Sequence, residues 1–156
     1  MRFWKCVIYL GGTGFLGFLV GRVLPKRWFD HDRFWFRCRE FEQEGKFYER
    51  FHIRKWKDHL PDMSKILPSM IPSKSPKTGR QTAEDVEENL RETCIAEVIH
   101  NLLGIVGFGC MWIWPGAGGA TMSLLCFLGN IPFVMAQRYN RPRFVKIYDR
   151  LRKVSE

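Results

Sequence analysis

Glu97 and His100 stand three residues apart, at the start of a long stretch that carries no other charge. On a helix that spacing makes the two side chains neighbours. A carboxylate beside an imidazole can orient it and raise its basicity, and an imidazole held in that way can take the proton of a hydroxyl group. At the far end of the same apolar stretch lie Gln137, Arg138, Asn140 and Arg141. Guanidinium groups there could grip a phosphate through paired hydrogen bonds, or face the negative charge that grows on an acyl oxygen. Together these residue types would abstract a proton from a hydroxyl and stabilise an oxyanion. A plainer reading stands beside each. Glu97 and His100 could form a structural hydrogen-bonded pair, and Arg138 and Arg141 could anchor a membrane span by charge.

Other constellations are less specific. His52 and Asp58 resemble a His-x4-Asp box, but five residues separate them, and on a helix the extra residue turns the pair apart by about 100°. His52, His59, Glu97 and His100 could be gathered round a metal, yet no spacing specifies this and no metal is expected. Gly12-Thr-Gly14-Phe-Leu-Gly17 matches the GxGxxG pattern of dinucleotide-binding turns. That pattern needs a strand before it and a soluble βαβ unit around it, and neither is present in the sequence. The better account is that Gly14, Gly17 and Gly21 are small residues that let helices approach closely in lipid. Cys6, Cys38, Cys94, Cys110 and Cys126 are odd in number and irregular in spacing, so neither a disulfide framework nor a zinc site is indicated. No cofactor is expected.

The elements that must position these groups are those of a membrane protein. Val98 to Gln137 is a run of 40 residues without Asp, Glu, Lys or Arg. A span needs about 20 apolar residues, so this run holds two. Trp114-Pro-Gly-Ala-Gly-Gly119 breaks it near the middle as a turn, and Asn130 and Pro132 predict a kink in the second half. Cys6 to Leu24 is a third apolar run behind a short basic start. It reads as an uncleaved span, with a cleaved signal peptide as the alternative. We therefore expect an all-α integral membrane protein of about three spans, the last two forming a helical hairpin. Its parts are an N-terminal span (1–27), an interfacial aromatic and charged segment with a proline-rich loop (28–82), and a helix running into the hairpin with a basic tail (83–156).

Between the spans, Trp28–Leu60 holds ten of the 23 aromatic residues together with eight basic and seven acidic ones. Phe34, Cys38, Phe41, Gly45, Tyr48 and His52 recur at helical spacing, which predicts one or two amphipathic helices on the membrane surface. Pro61–Thr82 reads as a loop. Thr82-Ala-Glu-Asp85 then resembles a capping box opening a helix. On that helix Val86, Leu90, Thr93, Glu97, His100 and Gly104 share one face, which must be buried against protein.

The net charge is +9, and the tail Arg138–Glu156 alone carries seven basic and two acidic residues. A basic tail after a span marks the cytoplasmic side. Anionic lipid headgroups or phosphate-bearing substrates suit this charge. It is accompanied by no nucleic-acid-binding motif, and no nucleic acid is expected as a partner. The hairpin brings its entrance (Glu97, His100) and its exit (Gln137, Arg138, Asn140, Arg141) to one side of the bilayer, with Asp58 as a further candidate. An ionisable group within a span costs about 2.5–3.5 kcal/mol at the centre, so such groups are paired or functional.

Three segments carry a resemblance: Phe51-His-Ile-Arg-Lys-Trp-Lys-Asp-His-Leu-Pro-Asp62, Arg91-Glu-Thr-Cys-Ile-Ala-Glu97-Val-Ile-His100, and Asn130-Ile-Pro-Phe-Val-Met-Ala-Gln-Arg-Tyr-Asn-Arg-Pro-Arg143. From about Gly45 onward the chain resembles the bacterial glycosyl-diaponeurosporenoate acyltransferase family of staphyloxanthin-type carotenoid synthesis. The resemblance implies a multi-pass enzyme of the bacterial cell membrane that esterifies a sugar hydroxyl of a glycosylated lipid with a fatty acyl group. Acyl-CoA or acyl carrier protein would be the donor, a membrane glycolipid the acceptor, and membrane lipids the surroundings. On its motif positions we expect His100 as base, Glu97 as its orienting group, and Arg138, Asn140, Arg141, Trp56, Lys57 and Asp58 as substrate contacts. The alternative is a non-catalytic membrane protein that binds lipid or organises a complex.

Overall fold

A computed structural model describes residues 1–61 and 82–155. Helix α1 (Arg2–Val23) takes up the first apolar run and stops at Leu24, whose extended backbone precedes Pro25. Four short helical pieces follow the Lys26–Trp28 turn: a 3-10 stretch at Glu40–Gly45, α2 (Lys46–Glu49), α3 (Ile53–Trp56) and a 3-10 turn at Lys57–His59. Helix α4 (Ala83–Val106) passes through a 3-10 turn at Gly107–Gly109 into α5 (Cys110–Ile113). After Trp114-Pro-Gly116, with Gly116 at φ +96°, helix α6 (Ala117–Ser155) runs back for 39 residues. No strand occurs among the described residues, and three helical stretches are long and apolar enough to cross a membrane. The chain is an all-α membrane protein.

The hairpin forms as the sequence predicts. The Thr82 hydroxyl accepts the Asp85 N–H at 3.2 Å and the Asp85 carboxylate accepts the Thr82 N–H at 3.0 Å, so both ends of the capping box close. Val86, Leu90, Thr93, Glu97 and Gly104 are buried on the face that α4 turns to α6, with His100 half-buried beside them. Helix α6 continues through both Pro132 and Pro142. Its 39 residues span about 58 Å, roughly twice the hydrocarbon thickness, so its charged half stands beyond the apolar half.

Helix α1 lies against α4 through its glycines. A side chain at Gly17 would meet Leu103 at 3.2 Å, and one at Gly21 would meet Ile95 and Ile99 at 3.5 Å. Gly14 has nothing within 4 Å, so the close-packing expectation holds at two of the three positions. The GxGxxG pattern sits wholly inside a helix, with no strand before it.

The segment after α1 departs from expectation. Its helical turns do not join into long amphipathic helices, because Gln43, Glu44 and Gly45 adopt φ values of 47°, 57° and 92° in succession, and His52 one of 53°. Left-handed residues end a helix. The chain instead folds as a cap over the charged end of the bundle, with Phe36, Glu42, Tyr48 and Ile53 turned inward and Phe34, Trp35, Phe41 and Phe51 outward. The expected proline-rich loop falls on residues 62–81, outside the described residues.

Candidate functional site

The charged ends of α4 and α6 meet beneath the cap in a network of four ionised side chains. Glu97, on the buried face of α4, accepts Arg138 Nε on Oε1 at 2.7 Å and Arg141 Nη2 on Oε2 at 2.5 Å. Arg138 and Arg141 are three residues apart on α6, so both reach the same carboxylate. A second carboxylate comes from the cap. Glu42 accepts Arg138 Nη1 at 3.1 and 3.2 Å, the Arg39 N–H at 2.7 Å and the Tyr48 hydroxyl at 2.5 Å. Two guanidiniums thus balance two carboxylates, and Glu42, Glu97 and Arg141 are buried.

Further guanidinium hydrogens go to the cap backbone and to Thr93. Arg138 Nη2 donates to the Trp35 carbonyl at 2.9 Å, and Arg141 Nη1 to the Phe36 carbonyl at 2.8 Å. Arg141 also donates to the Thr93 hydroxyl at 3.0 Å and the Thr93 carbonyl at 3.1 Å. Among the described residues no buried side-chain nitrogen or oxygen lacks a partner. Burial would raise the Glu42 carboxyl, but the Arg39 N–H, the Tyr48 hydroxyl and the Arg138 guanidinium outweigh it and hold the group below its ordinary value. Burial and the neighbouring Glu42 push the Tyr48 hydroxyl the other way, upward.

His100 lies one turn further along α4, toward the apolar half. Its Nδ1 is 2.8 Å from Asn130 Oδ1, and its ring stacks on Phe133 at 4.3 Å between centroids and 11° between planes. Asn130 Nδ2 donates to the Cys126 carbonyl at 2.8 Å, which turns the amide oxygen toward the imidazole. Nδ1 is therefore the donor, and Nε2 is left as the basic nitrogen. This corrects the expectation for Glu97: its carboxylate is occupied by Arg138 and Arg141, and Asn130 is the group that orients His100.

The other expected contacts divide. Arg138 and Arg141 do converge with Glu97, but their hydrogen bonds go to carboxylates and carbonyls of the chain, so the geometry does not hold them open for a phosphate. Asn140 is half-buried on α6, and among the described residues no hydrogen bond ties its side chain to the network. Trp56 packs on the Tyr48, Ile53 and Tyr139 cluster and donates from Nε1 to the Phe51 carbonyl at 2.8 Å. Lys57 and Asp58 pair with each other at 2.7 Å. Among the described residues, His52, His59, Glu97 and His100 do not come together at metal-ligand spacing. No spacing relates Glu42 or Tyr48 to Glu97, so the sequence does not show that either belongs to the site. Asn130 was visible as a polar residue within an apolar span.

Beside the network, a cleft of about 360 Å³ opens between the cap and α6. Arg138, Arg141 and Glu42 line it, together with His31, Lys146 and Asp149. His31 Nδ1 is 3.5 Å from Asp30 Oδ1 and its Nε2 is 3.6 Å from Asp32 Oδ1, with the ring edge-on to Tyr148.

The sequence model of the family described as Glycosyl-4,4'-diaponeurosporenoate acyltransferase matches residues 25–150, which takes in the cap from its first turn rather than from Gly45. A protein named Glycosyl-4,4'-diaponeurosporenoate acyltransferase from Staphylococcus aureus (strain MRSA252) is 27% identical over 140 residues, 88% of this chain and 82% of the relative. Its counterpart in the bovine strain RF122 / ET3-1 is 26% identical over the same coverage. No solved structure matches the chain. With the family model spanning the cap, the Glu97 network and the charged end of α6 in one stretch, the chain belongs to the glycosyl-4,4'-diaponeurosporenoate acyltransferase family.

Proposed function

We propose that this acyltransferase moves a fatty acyl group from a thioester, acyl-CoA or acyl carrier protein, onto a sugar hydroxyl of a glycosylated membrane lipid, at the cytoplasmic face of the bacterial cell membrane. The acceptor class, a glycosylated carotenoid, is taken from the names of the relatives. The observation that carries the mechanism is the His100–Asn130 pair: an imidazole with Nδ1 tied down and Nε2 left to accept a proton. In the step, Nε2 of His100 takes the hydroxyl proton while the sugar oxygen attacks the thioester carbonyl. The C–S bond breaks, and the departing thiolate takes the proton back, giving ester and free thiol. Glu97, Arg138, Arg141 and Glu42 hold the hairpin and cap in register around this point. The rings of the cap line the lipid-facing side. Basic residues of α6 beyond Arg138 suit the cytoplasmic leaflet.

The test is acyl transfer in isolated membranes, with labelled thioester and extracted glycolipids and with the product read by mass spectrometry. His100→Ala is expected to lose about 10²–10⁴-fold in rate while accumulating in the membrane as wild type does. Equal activity in wild type and variant would remove the base. No product from folded wild-type protein with either donor would favour a non-catalytic lipid-binding or scaffold role.

A further inference from the structure

Two polar side chains beside the charged network stay out of it. Gln137 and Asn140 are half-buried on α6, and among the described residues neither side chain makes a hydrogen bond. No buried side-chain nitrogen or oxygen among those residues lacks a partner, so the amide atoms of both reach the surface of the molecule. Their neighbours on the helix are spent. Arg138 and Arg141 are held by Glu42, Glu97 and the cap backbone, and Asn130 by His100 and the Cys126 carbonyl.

Helical register ties the two amides to the base. Phe133, Gln137 and Asn140 stand at i, i+4 and i+7, within about 60° of one another around α6. Phe133, the first of the three, stacks on the His100 ring. The stripe therefore starts at the imidazole and rises about 10 Å toward the charged half of the helix. Gln137 is the last residue of the uncharged run, and Asn140 lies just beyond it. That is the level at which the headgroup of a membrane lipid meets water.

A carboxamide offers two donors and an acceptor oxygen, and a hydroxyl group is donor and acceptor at once. Two uncharged amides beside a base thus match a neutral polyol. A phosphate would instead draw on guanidinium or ammonium groups, and those nearest here are already paired. We infer that Gln137 and Asn140 hold the sugar of the acceptor. They bring one of its hydroxyls to Nε2 of His100, while the lipid chain stays along the apolar half of the spans. The inference rests on the acyl-transfer reading given above.

Carbethoxylation of imidazoles by diethyl pyrocarbonate, mapped peptide by peptide with mass spectrometry, reports on His100 without turnover. With the full chain in lipid nanodiscs, dodecyl glucoside should slow the modification of His100. Dodecanol, which has the chain and no sugar, should not. Gln137→Leu and Asn140→Leu keep the packing and remove the hydrogen bonds. Each should raise the glucoside concentration for half protection about tenfold. In the transfer assay each should raise the KM for the acceptor by a similar factor, with the KM for the thioester held. Equal protection by dodecanol, or protection unchanged in both variants, would overturn the inference. Protection by S-alkylated coenzyme A that is lost in Gln137→Leu would give the stripe to the donor and overturn it too. So would a His100 that resists the reagent from the start, since a ring closed to it is closed to a sugar. Glucoside protection in a wild type without transferase activity would count against the reaction and leave the sugar site standing. Transfer that needs His100 but is untouched by either leucine variant would remove the sugar site and leave the base.

Discussion

Arg141 and Glu97, 44 residues apart in sequence, meet at 2.5 Å in a place where both are buried, and Arg141 is held at the same time by the Phe36 carbonyl of the cap. One side chain thus joins both helices of the hairpin to the segment that covers them. Ion pairs out of water stabilise only when each charge is fully matched, because desolvation otherwise exceeds the Coulomb gain. Here two carboxylates meet two guanidiniums, and further hydrogen bonds go to the Trp35, Phe36 and Thr93 carbonyls and the Thr93 hydroxyl.

Removal of both members should therefore cost less than the two single removals added together. Glu97→Gln leaves two guanidiniums with too little negative charge, and a loss of about 3–5 kcal/mol is expected. Glu97→Gln with Arg141→Met should lose less than the sum of the single changes. Thermal unfolding in detergent of the four proteins in this cycle measures the coupling. Simple additivity would show that the contact carries no energy of its own.

Asn130 should matter to rate more than to stability. If its amide oxygen fixes the Nδ1–H form of His100, Asn130→Ala frees the ring to rotate and to change tautomer. We expect kcat to fall about 10–100-fold, in line with the loss of an orienting partner, with KM for both substrates little changed. Asn130→Asp should restore part of it. A variant with unaltered kcat but reduced thermal stability would make Asn130 a packing residue only.

Acid should loosen the cap before the spans. The Glu42 carboxyl lies below its ordinary value of 4.5 in the folded protein, so its contribution is complete above that value and fades as pH falls through the folded one. Protonation would take the charge from beneath Arg138 and free the Glu40–Gly45 turn. Maleimide reactivity at Cys38, four residues away, should rise as pH is lowered through this window, once corrected for thiol ionisation with a free-cysteine control. In Glu42→Gln the same reactivity should be high already and flat with pH. Identical profiles for the two proteins would disconnect Glu42 from the cap.

The hairpin is legible from the residues alone, since a 40-residue uncharged run can be satisfied in lipid only by two helices and a turn. The residues alone also show which face of α4 is buried, because Val86, Leu90, Thr93, Glu97 and Gly104 follow helical spacing, and they bring Glu97 to the same end as Arg138 and Arg141. Periodicity is a local property, and these are its consequences. The cap was decided only in three dimensions. Gln43 and Glu44 give no sign of left-handed backbone, and the helical spacing of Phe34 to His52 points to a longer helix than forms. At the bend Glu42 is buried and accepts a hydrogen bond from Arg138, a residue 96 positions away. In the same way, three residues of separation made Glu97 and His100 neighbours. The stronger charges of Arg138 and Arg141 claimed the carboxylate, and the imidazole was left to Asn130 on the facing helix. Which of several possible partners a polar group takes in a nearly water-free interior depends on every charge within reach, and that inventory exists only once the helices have packed.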